Sequence, residues 1–94
     1  MNLQNNFKSM KILYKPSFIK DYNKLSGDLQ TEVKEKIQLL LNKENHLKLK
    51  VHKLSGKLKG SYSFSVNYSH RIVFEYESSQ TILFMGVGTH DIYK

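Results

Sequence analysis

The 94-residue sequence contains no cysteine, one proline and no long apolar run. The absence of cysteine excludes disulfides, thiolate catalysis and the common thiolate-based zinc sites, and it is neutral about the cellular compartment. A membrane-spanning helix needs about eighteen or more consecutive apolar residues. Because the chain has no such run, and no apolar signal core or arginine-rich presequence opens it, we expect a cytoplasmic protein that does not associate with membranes.

Acidic side chains are scarce and unevenly distributed. Fifteen lysines and arginines stand against eight aspartates and glutamates, which gives a formal charge of +7. No acid lies between Glu44 and Glu75. A charge polarised in this way favours the binding of a polyanion to one face, although lysines that are merely solvated would give the same pattern. The cationic residues of this interval are Lys48, Lys50, Lys53, Lys57, Lys59 and Arg71.

The length suits one domain with a single modest core. Residues 1–9 are polar and aperiodic, which predicts a flexible N-terminal tail. Residues 10–94 are predicted to form the whole domain. Translation from either Met1 or Met10 would include all of it.

The first half of the domain predicts a strand and two helices. The strand covers 11–14 and ends at Pro16, because proline removes a ladder donor and restricts the residue before it. Ser17 is the predicted N-cap of the first helix. Gly27 is predicted to end that helix in a left-handed conformation, and Asp28 to cap the second helix. Each helix has one apolar stripe at helical spacing: Phe18, Tyr22 and Leu25 on the first, and Leu29, Val33, Ile37, Leu40 and Leu41 on the second.

The second half predicts a sheet. Apolar residues alternate with serines across 61–66, which is typical of a strand with one buried face and one solvent-exposed serine face. Strands at 70–76 and 81–87 follow after short turns and complete an antiparallel meander. The helix hairpin is the available cover for the apolar face of this sheet. We therefore predict an α+β domain in which an N-terminal strand and a two-helix hairpin pack on an antiparallel sheet of three to four strands.

The candidate chemistry lies in one arginine and four histidines. Arg71 is the only arginine, and its planar guanidinium can hold a phosphate through two parallel hydrogen bonds, as an ammonium cannot. An ordinary surface arginine paired with Glu75 is the alternative. The histidines lack the short-range spacing of zinc sites, so no metal and no cofactor are expected. Histidine titrates near neutrality and can move protons between oxygens.

RNA cleavage needs no metal when such groups converge. A base removes the proton of the 2′-hydroxyl, a cation stabilises the charged phosphorane, and an acid protonates the departing 5′-oxygen. Two histidines and one arginine on one sheet face would supply this set. Composition does not show whether they converge.

Three stretches resemble the RelE/ParE superfamily of bacterial toxin–antitoxin toxins. They are HKLSGKLKGSYSFSV at 52–66, HRIVFEYE at 70–77 and the terminal VGTHDIYK. The resemblance extends over nearly all of 10–94, and it is strongest to the YoeB and YafQ branches. Members of these branches are ribosome-dependent messenger-RNA endonucleases, so the resemblance implies an endoribonuclease that inhibits translation.

The resemblance also implies roles for individual residues. His52 would be the general base, Arg71 would stabilise the scissile phosphate, and His90 would be the general acid. Tyr93 would help to position the nucleotide, although Asp91 directly follows His90 where the YoeB-like pattern has an aromatic residue. Lysines in and around the 54–60 link would hold RNA phosphates: Lys50, Lys53, Lys57 and Lys59.

The implied partners are an acidic antitoxin and messenger RNA in the ribosomal A site. Three other functions share parts of this pattern. ParE-like members have the same fold and inhibit DNA gyrase, but they lack the RNA-cutting residues. A non-catalytic antitoxin-binding protein and a general RNA-binding domain are the remaining alternatives, and the latter would lack an aromatic stacking motif here.

Overall fold

The computed structural model of the chain describes residues 10–89, which form two helices and a five-stranded mixed sheet. The strands are β1 (Lys11–Tyr14), β2 (His52–Lys53), β3 (Tyr62–Ser65), β4 (Arg71–Ser78) and β5 (Thr81–Gly88). The helices are α1 (Pro16–Asn23) and α2 (Gly27–Leu40), and short 3₁₀ turns lie at Lys43–Asn45 and Gly56–Leu58. Within 10–89, no helix is both long enough and apolar enough to cross a bilayer.

The predicted α+β architecture is confirmed, and the N-terminal strand joins the antiparallel sheet as a parallel edge strand. The sheet order is β1-β5-β4-β3-β2. Strands β2 to β5 pair antiparallel, whereas β1 pairs in parallel with β5, from Lys11 opposite Thr81 to Tyr14 opposite Phe84. By covering half of the outer edge of β5, β1 reduces the unpaired edge that a three-stranded meander would expose.

The helix termini differ from the prediction. Helix α1 begins two residues earlier than predicted, with Lys15 at the N-cap and Pro16 in the first turn, where the missing N–H of proline costs no hydrogen bond. Ser26 caps α2 by accepting a hydrogen bond from the amide of Leu29. The assignments of Ser17 as a cap, Gly27 as a left-handed terminus and Asp28 as a cap were therefore wrong.

The core lies between the two helices and one face of the sheet. Phe18 from α1 stacks on Phe84 of β5 with ring centroids 5.4 Å apart, and Phe64 meets Phe74 edge-on at 5.8 Å. The apolar stripe of α2 is buried at Val33, Ile37 and Leu40, as its spacing predicted. The rest of the core comes from Leu49, Val66, Ile72, Ile82 and Val87.

Beyond the end of β1, side chains of α1 form the hydrogen bonds that a neighbouring strand would form with the backbone of β5. Pairing with β1 stops at Phe84, whose carbonyl accepts from the Lys15 amide at 2.9 Å. Beyond that point the Ser17 hydroxyl donates to the Met85 carbonyl at 2.5 Å, and the Val87 amide donates to Oδ2 of Asp21 at 3.1 Å. These contacts satisfy backbone groups that would otherwise lack partners, and they fix the end of β5.

Candidate functional site

Two of the predicted catalytic residues lie on the same face of the sheet. Directly opposed residues of antiparallel strands share a face. Arg71 precedes the fully buried Ile72, so it lies on the face away from the helices. The register defines two adjacent rows on that face: His52, Ser63, Val73 and Gly86 in one, and Ser65, Arg71 and Gly88 in the next.

The separation of His52 and Arg71 follows from sheet geometry. They lie two strands apart, or about 10 Å, and one two-residue step apart along the strands, or about 7 Å. Their Cα atoms are therefore about 12 Å apart. A phosphate group that contacts both side chains would have to lie between these two rows.

The His52 imidazole is exposed, and one of its nitrogens is held. Its Nδ1 lies 2.8 Å from the Lys50 carbonyl oxygen. Since a carbonyl only accepts hydrogen bonds, Nδ1 must carry the hydrogen, which in the neutral ring leaves the lone pair on Nε2. His52 is thus held in the tautomer in which Nε2 can accept a proton.

The Arg71 guanidinium is anchored through a single nitrogen. Its Nη1 donates to the carbonyls of Asn67 at 3.2 Å and His70 at 3.3 Å, so the group rests against the β3–β4 turn. Glu75, the sequence-based candidate for an ion pair with Arg71, instead accepts a hydrogen bond from Ser61 at 3.1 Å. Within residues 10–89, Nε and Nη2 of Arg71 have no hydrogen-bond partner and no acid neutralises the charge.

Asn67 organises this turn, a role that sequence analysis missed. Its Oδ1 accepts from the amides of Ser69 and His70 at 2.9 and 2.8 Å, and its Nδ2 donates to Glu32 of α2 at 2.9 Å. An asparagine that starts a turn and bonds the amide two residues later is a known local signal. The bond to Glu32 joins groups 35 positions apart, and no local pattern predicts it.

The other two histidines within 10–89 have local structural contacts. Nε2 of His46 lies 2.9 Å from the Leu40 carbonyl and satisfies the end of α2. Nδ1 of His70 lies 2.9 Å from the Ser69 hydroxyl. His90 and Tyr93, the predicted acid and positioning residue, lie outside the described residues, as does Asp91. Residues 10–89 contain no cluster of three or more histidine or carboxylate side chains that could hold a metal.

The lysines do not all lie on the face of His52. Lys53 is opposite Tyr62, whose ring packs on the core residue Phe74 at 5.6 Å. By alternation Lys53 is directed towards the helix side of the sheet. Lys53 and Lys59 border a depression of about 420 Å³ at the end of the β2–β3 hairpin, whose other lining residues are Leu54, Ser55, Gly56, Gly60, Ser61 and Tyr62. Lys50 and Lys57 are exposed.

The serine face of β3 is not open to solvent, contrary to the prediction. Ser61 is 3% exposed and Ser63 is 0% exposed. The bond from Ser61 to Glu75 shows part of the reason, since small side chains are readily covered by longer ones of the neighbouring strand. Val73, in the row of His52 and Ser63, is 4% exposed, so the middle of this row is closed.

Comparison with solved structures identifies the architecture. YafQ from E. coli superposes with a TM-score of 0.75 at 19% identity, over 89% of this chain and 97% of that chain. A YoeB–YefM complex from Staphylococcus aureus gives 0.67 at 22% identity, over 86% and 97%. The toxin–antitoxin complex RelBE2 from Mycobacterium tuberculosis gives 0.66 at 14% identity, over 87% and 99%.

The chain has the RelE-type toxin fold. The resemblance drawn from the three sequence stretches is therefore confirmed in the fold. No protein-family model matches the chain, and no curated protein matches it in sequence. At identities this low, the similarity establishes the arrangement of helices and strands only. The roles of individual side chains must be argued from their own geometry.

Proposed function

We propose that this chain is the toxin of a type II toxin–antitoxin pair and that it inhibits translation by cutting messenger RNA on the ribosome without a metal ion. One observation carries the proposal: His52, whose Nε2 has no partner among residues 10–89, and Arg71, whose guanidinium has no acidic partner among those residues, share one sheet face of a RelE-type fold. A base and a phosphate-binding cation are two of the three groups that RNA cleavage requires.

In the proposed reaction, Nε2 of His52 takes the proton of a 2′-hydroxyl as its oxygen attacks the adjacent phosphorus. Nε and Nη2 of Arg71 donate to the non-bridging oxygens as negative charge develops. Because Nη1 is already anchored to the turn, little reorganisation is needed to present these donors. The bond to the 5′-oxygen then breaks, leaving a 2′,3′-cyclic phosphate and a 5′-hydroxyl.

The remaining roles rest on the sequence resemblance. His90 would protonate the departing 5′-oxygen, and Tyr93 would position the nucleotide. Gly88, which is opposite Arg71 at the end of β5, precedes His90 by two residues in the sequence, and this sequence position supports the proposal that His90 is the acid. Lys53, Lys57 and Lys59 would bind phosphates of the message or of ribosomal RNA.

The proposed partner is a co-encoded acidic antitoxin. The formal charge of +7 and the acid-free interval between Glu44 and Glu75 favour an acidic partner, and two of the similar structures are toxin–antitoxin complexes. We expect the protein encoded beside this chain to be acidic, to co-purify with it and to relieve its toxicity. Free high-level expression without harm and without such a partner would contradict this part of the proposal.

Product chemistry tests the catalytic proposal. The purified protein is incubated with ribosomes programmed with a defined message, and both new ends are mapped. A 2′,3′-cyclic phosphate is expected, and a single 2′-deoxy substitution at the cut position should abolish cleavage, because the nucleophile is gone. A message that is still cut at that position would exclude this mechanism.

A parallel assay separates the main alternative. The same preparation is added to DNA gyrase, and supercoiling is followed on a gel. We expect no inhibition. Inhibition of supercoiling together with an intact message would favour a ParE-like function instead.

A further inference from the structure

The turn before His52 has the hydrogen-bond pattern that usually ends a helix, with an unusual residue at its key position. The amide of Lys50 donates to the Leu47 carbonyl and the amide of Val51 donates to the His46 carbonyl, both at 3.0 Å. This pair of bonds is the Schellman pattern, in which the residue corresponding to Lys50 takes a left-handed conformation and is most often glycine. Lys50 indeed has φ 61°.

A lysine is a costly choice at this position. A side chain with a Cβ is disfavoured in the left-handed region, whereas glycine is not. Among residues 10–89, Lys50 is the only residue other than glycine with a positive φ; Gly56 and Gly60 have the others. Strained backbone conformations are often found at functional sites, so we examined which group the conformation of Lys50 holds in place.

The strained residue directs its carbonyl at the proposed base. The main-chain carbonyl oxygen of Lys50 lies 2.8 Å from Nδ1 of His52, which follows Lys50 by two residues. The preceding residue, Leu49, is 3% exposed, and its carbonyl accepts from the Ser65 amide at 3.0 Å. The capping turn is thus anchored both in the core and on β3, so the carbonyl of Lys50 has a fixed direction.

We infer that residue 50 is a positioning residue, and that the site uses its main-chain carbonyl rather than its ammonium group. The left-handed turn holds the hydrogen of His52 on Nδ1 and thereby keeps Nε2 free to accept the proton of the 2′-hydroxyl. The inference rests on the proposed function for its catalytic meaning. It replaces the sequence-based expectation that Lys50 binds a phosphate.

The first test measures the tautomer in the protein without RNA. The ¹⁵N chemical shifts of the His52 ring report which nitrogen carries the hydrogen. Wild type, Lys50→Ala and Lys50→Gly should all show the form protonated on Nδ1. Lys50→Val should shift towards the form protonated on Nε2, because a β-branched residue resists a positive φ. Lys48→Val, the same change two residues earlier in the same turn, should leave the tautomer unchanged.

The second test measures single-turnover cleavage on saturating ribosomes. Lys50→Ala and Lys50→Gly should cut as fast as wild type, and Lys50→Val should be slower by about tenfold or more, as expected when a general base is misplaced. Lys50→Ala keeps the Cβ and loses only the ammonium. A large loss of rate in Lys50→Ala would therefore overturn the inference even if Lys50→Val did not fold.

The two tests separate the inference from the function on which it rests. An unchanged tautomer in folded Lys50→Val would refute the positioning role, whether or not the wild-type protein cuts RNA. The expected tautomer shift in a protein that cuts no RNA would refute the proposed function and leave the structural role of residue 50 intact.

Discussion

Replacing Asp21 with alanine should destabilise the protein by detaching α1 from the end of β5. Oδ2 of Asp21 accepts the amide hydrogen of Val87 at 3.1 Å, and Val87 is 4% exposed. Without the carboxylate this buried amide has no acceptor. A hydrogen bond to a charged group contributes about 1.5–3 kcal/mol, so we expect the free energy of unfolding to fall by about 2 kcal/mol. In a domain of this size that corresponds to a midpoint lower by about 8–16 °C.

Circular dichroism during urea and thermal unfolding measures this change, with two variants for comparison. Asp21→Asn keeps an oxygen acceptor without charge and should lose only about half as much. Glu35→Ala removes an exposed acid from the middle of α2 and should stay within about 0.5 kcal/mol of wild type. If Asp21→Ala is as stable as Glu35→Ala, the bond to Val87 contributes nothing to stability and the prediction is wrong.

Three further predictions concern the turn, the sheet and the basic surface. Asn67→Ala should lower the free energy of unfolding by about 2 kcal/mol in urea, because two turn amides lose their acceptor; wild-type stability would refute this. Burial, and then the nearby Tyr62, raise the pKa of Tyr76 above 10.0. The stability linked to this shift is present below about pH 10 and is lost as pH rises through the raised pKa, so Tyr76→Phe should reduce the alkaline loss of stability; equal curves would contradict it. Lys59→Ala should reduce the slope of log affinity for ribosomes against log salt concentration by about 0.7–0.9. Lys34→Ala, which removes an exposed lysine of α2, should leave the slope unchanged. If Lys59→Ala has the wild-type slope, Lys59 does not contact RNA.

Much of the fold could be predicted because its signals are local. The stripe of α2 and the alternation in β3 identified the faces that form the core, and Phe18, Val33, Ile37 and Phe64 are indeed buried. The predicted helix starts were less accurate, because Ser17 and Asp28 are residue types that often cap helices. Whether such a residue caps a helix depends on its hydrogen-bond partner, and the Ser17 hydroxyl bonds instead to the Met85 carbonyl, 68 positions away.

What could not be predicted depends on contacts between distant residues. The parallel pairing of β1 with β5 is set by tertiary packing and leaves no mark on the N-terminal strand itself. The direction of Lys53 depends on the exact register with Tyr62, since a shift of one residue would place it on the other face. The left-handed backbone of Lys50 breaks the local preference for glycine, and such exceptions concentrate at functional sites.

The candidate site was predicted in part. His52 and Arg71 were selected as candidates from the sequence, but whether they share a sheet face could not be predicted; the register places both on one face. The partners that orient them are carbonyls of Lys50, Asn67 and His70. Main-chain carbonyls are present at every residue and carry no sequence signal, so these hydrogen bonds to His52 and Arg71 could be found only in the folded structure.

The central claim is that His52 and Arg71 act on the same scissile phosphate, and single-turnover cleavage of a programmed message by His52→Ala and Arg71→Ala measures it most directly. Each variant should remain folded at the assay temperature and bind ribosomes, yet cut more slowly by about 10²-fold or more, while Lys34→Ala cuts normally. If either His52→Ala or Arg71→Ala cuts at the wild-type rate, the claim is wrong.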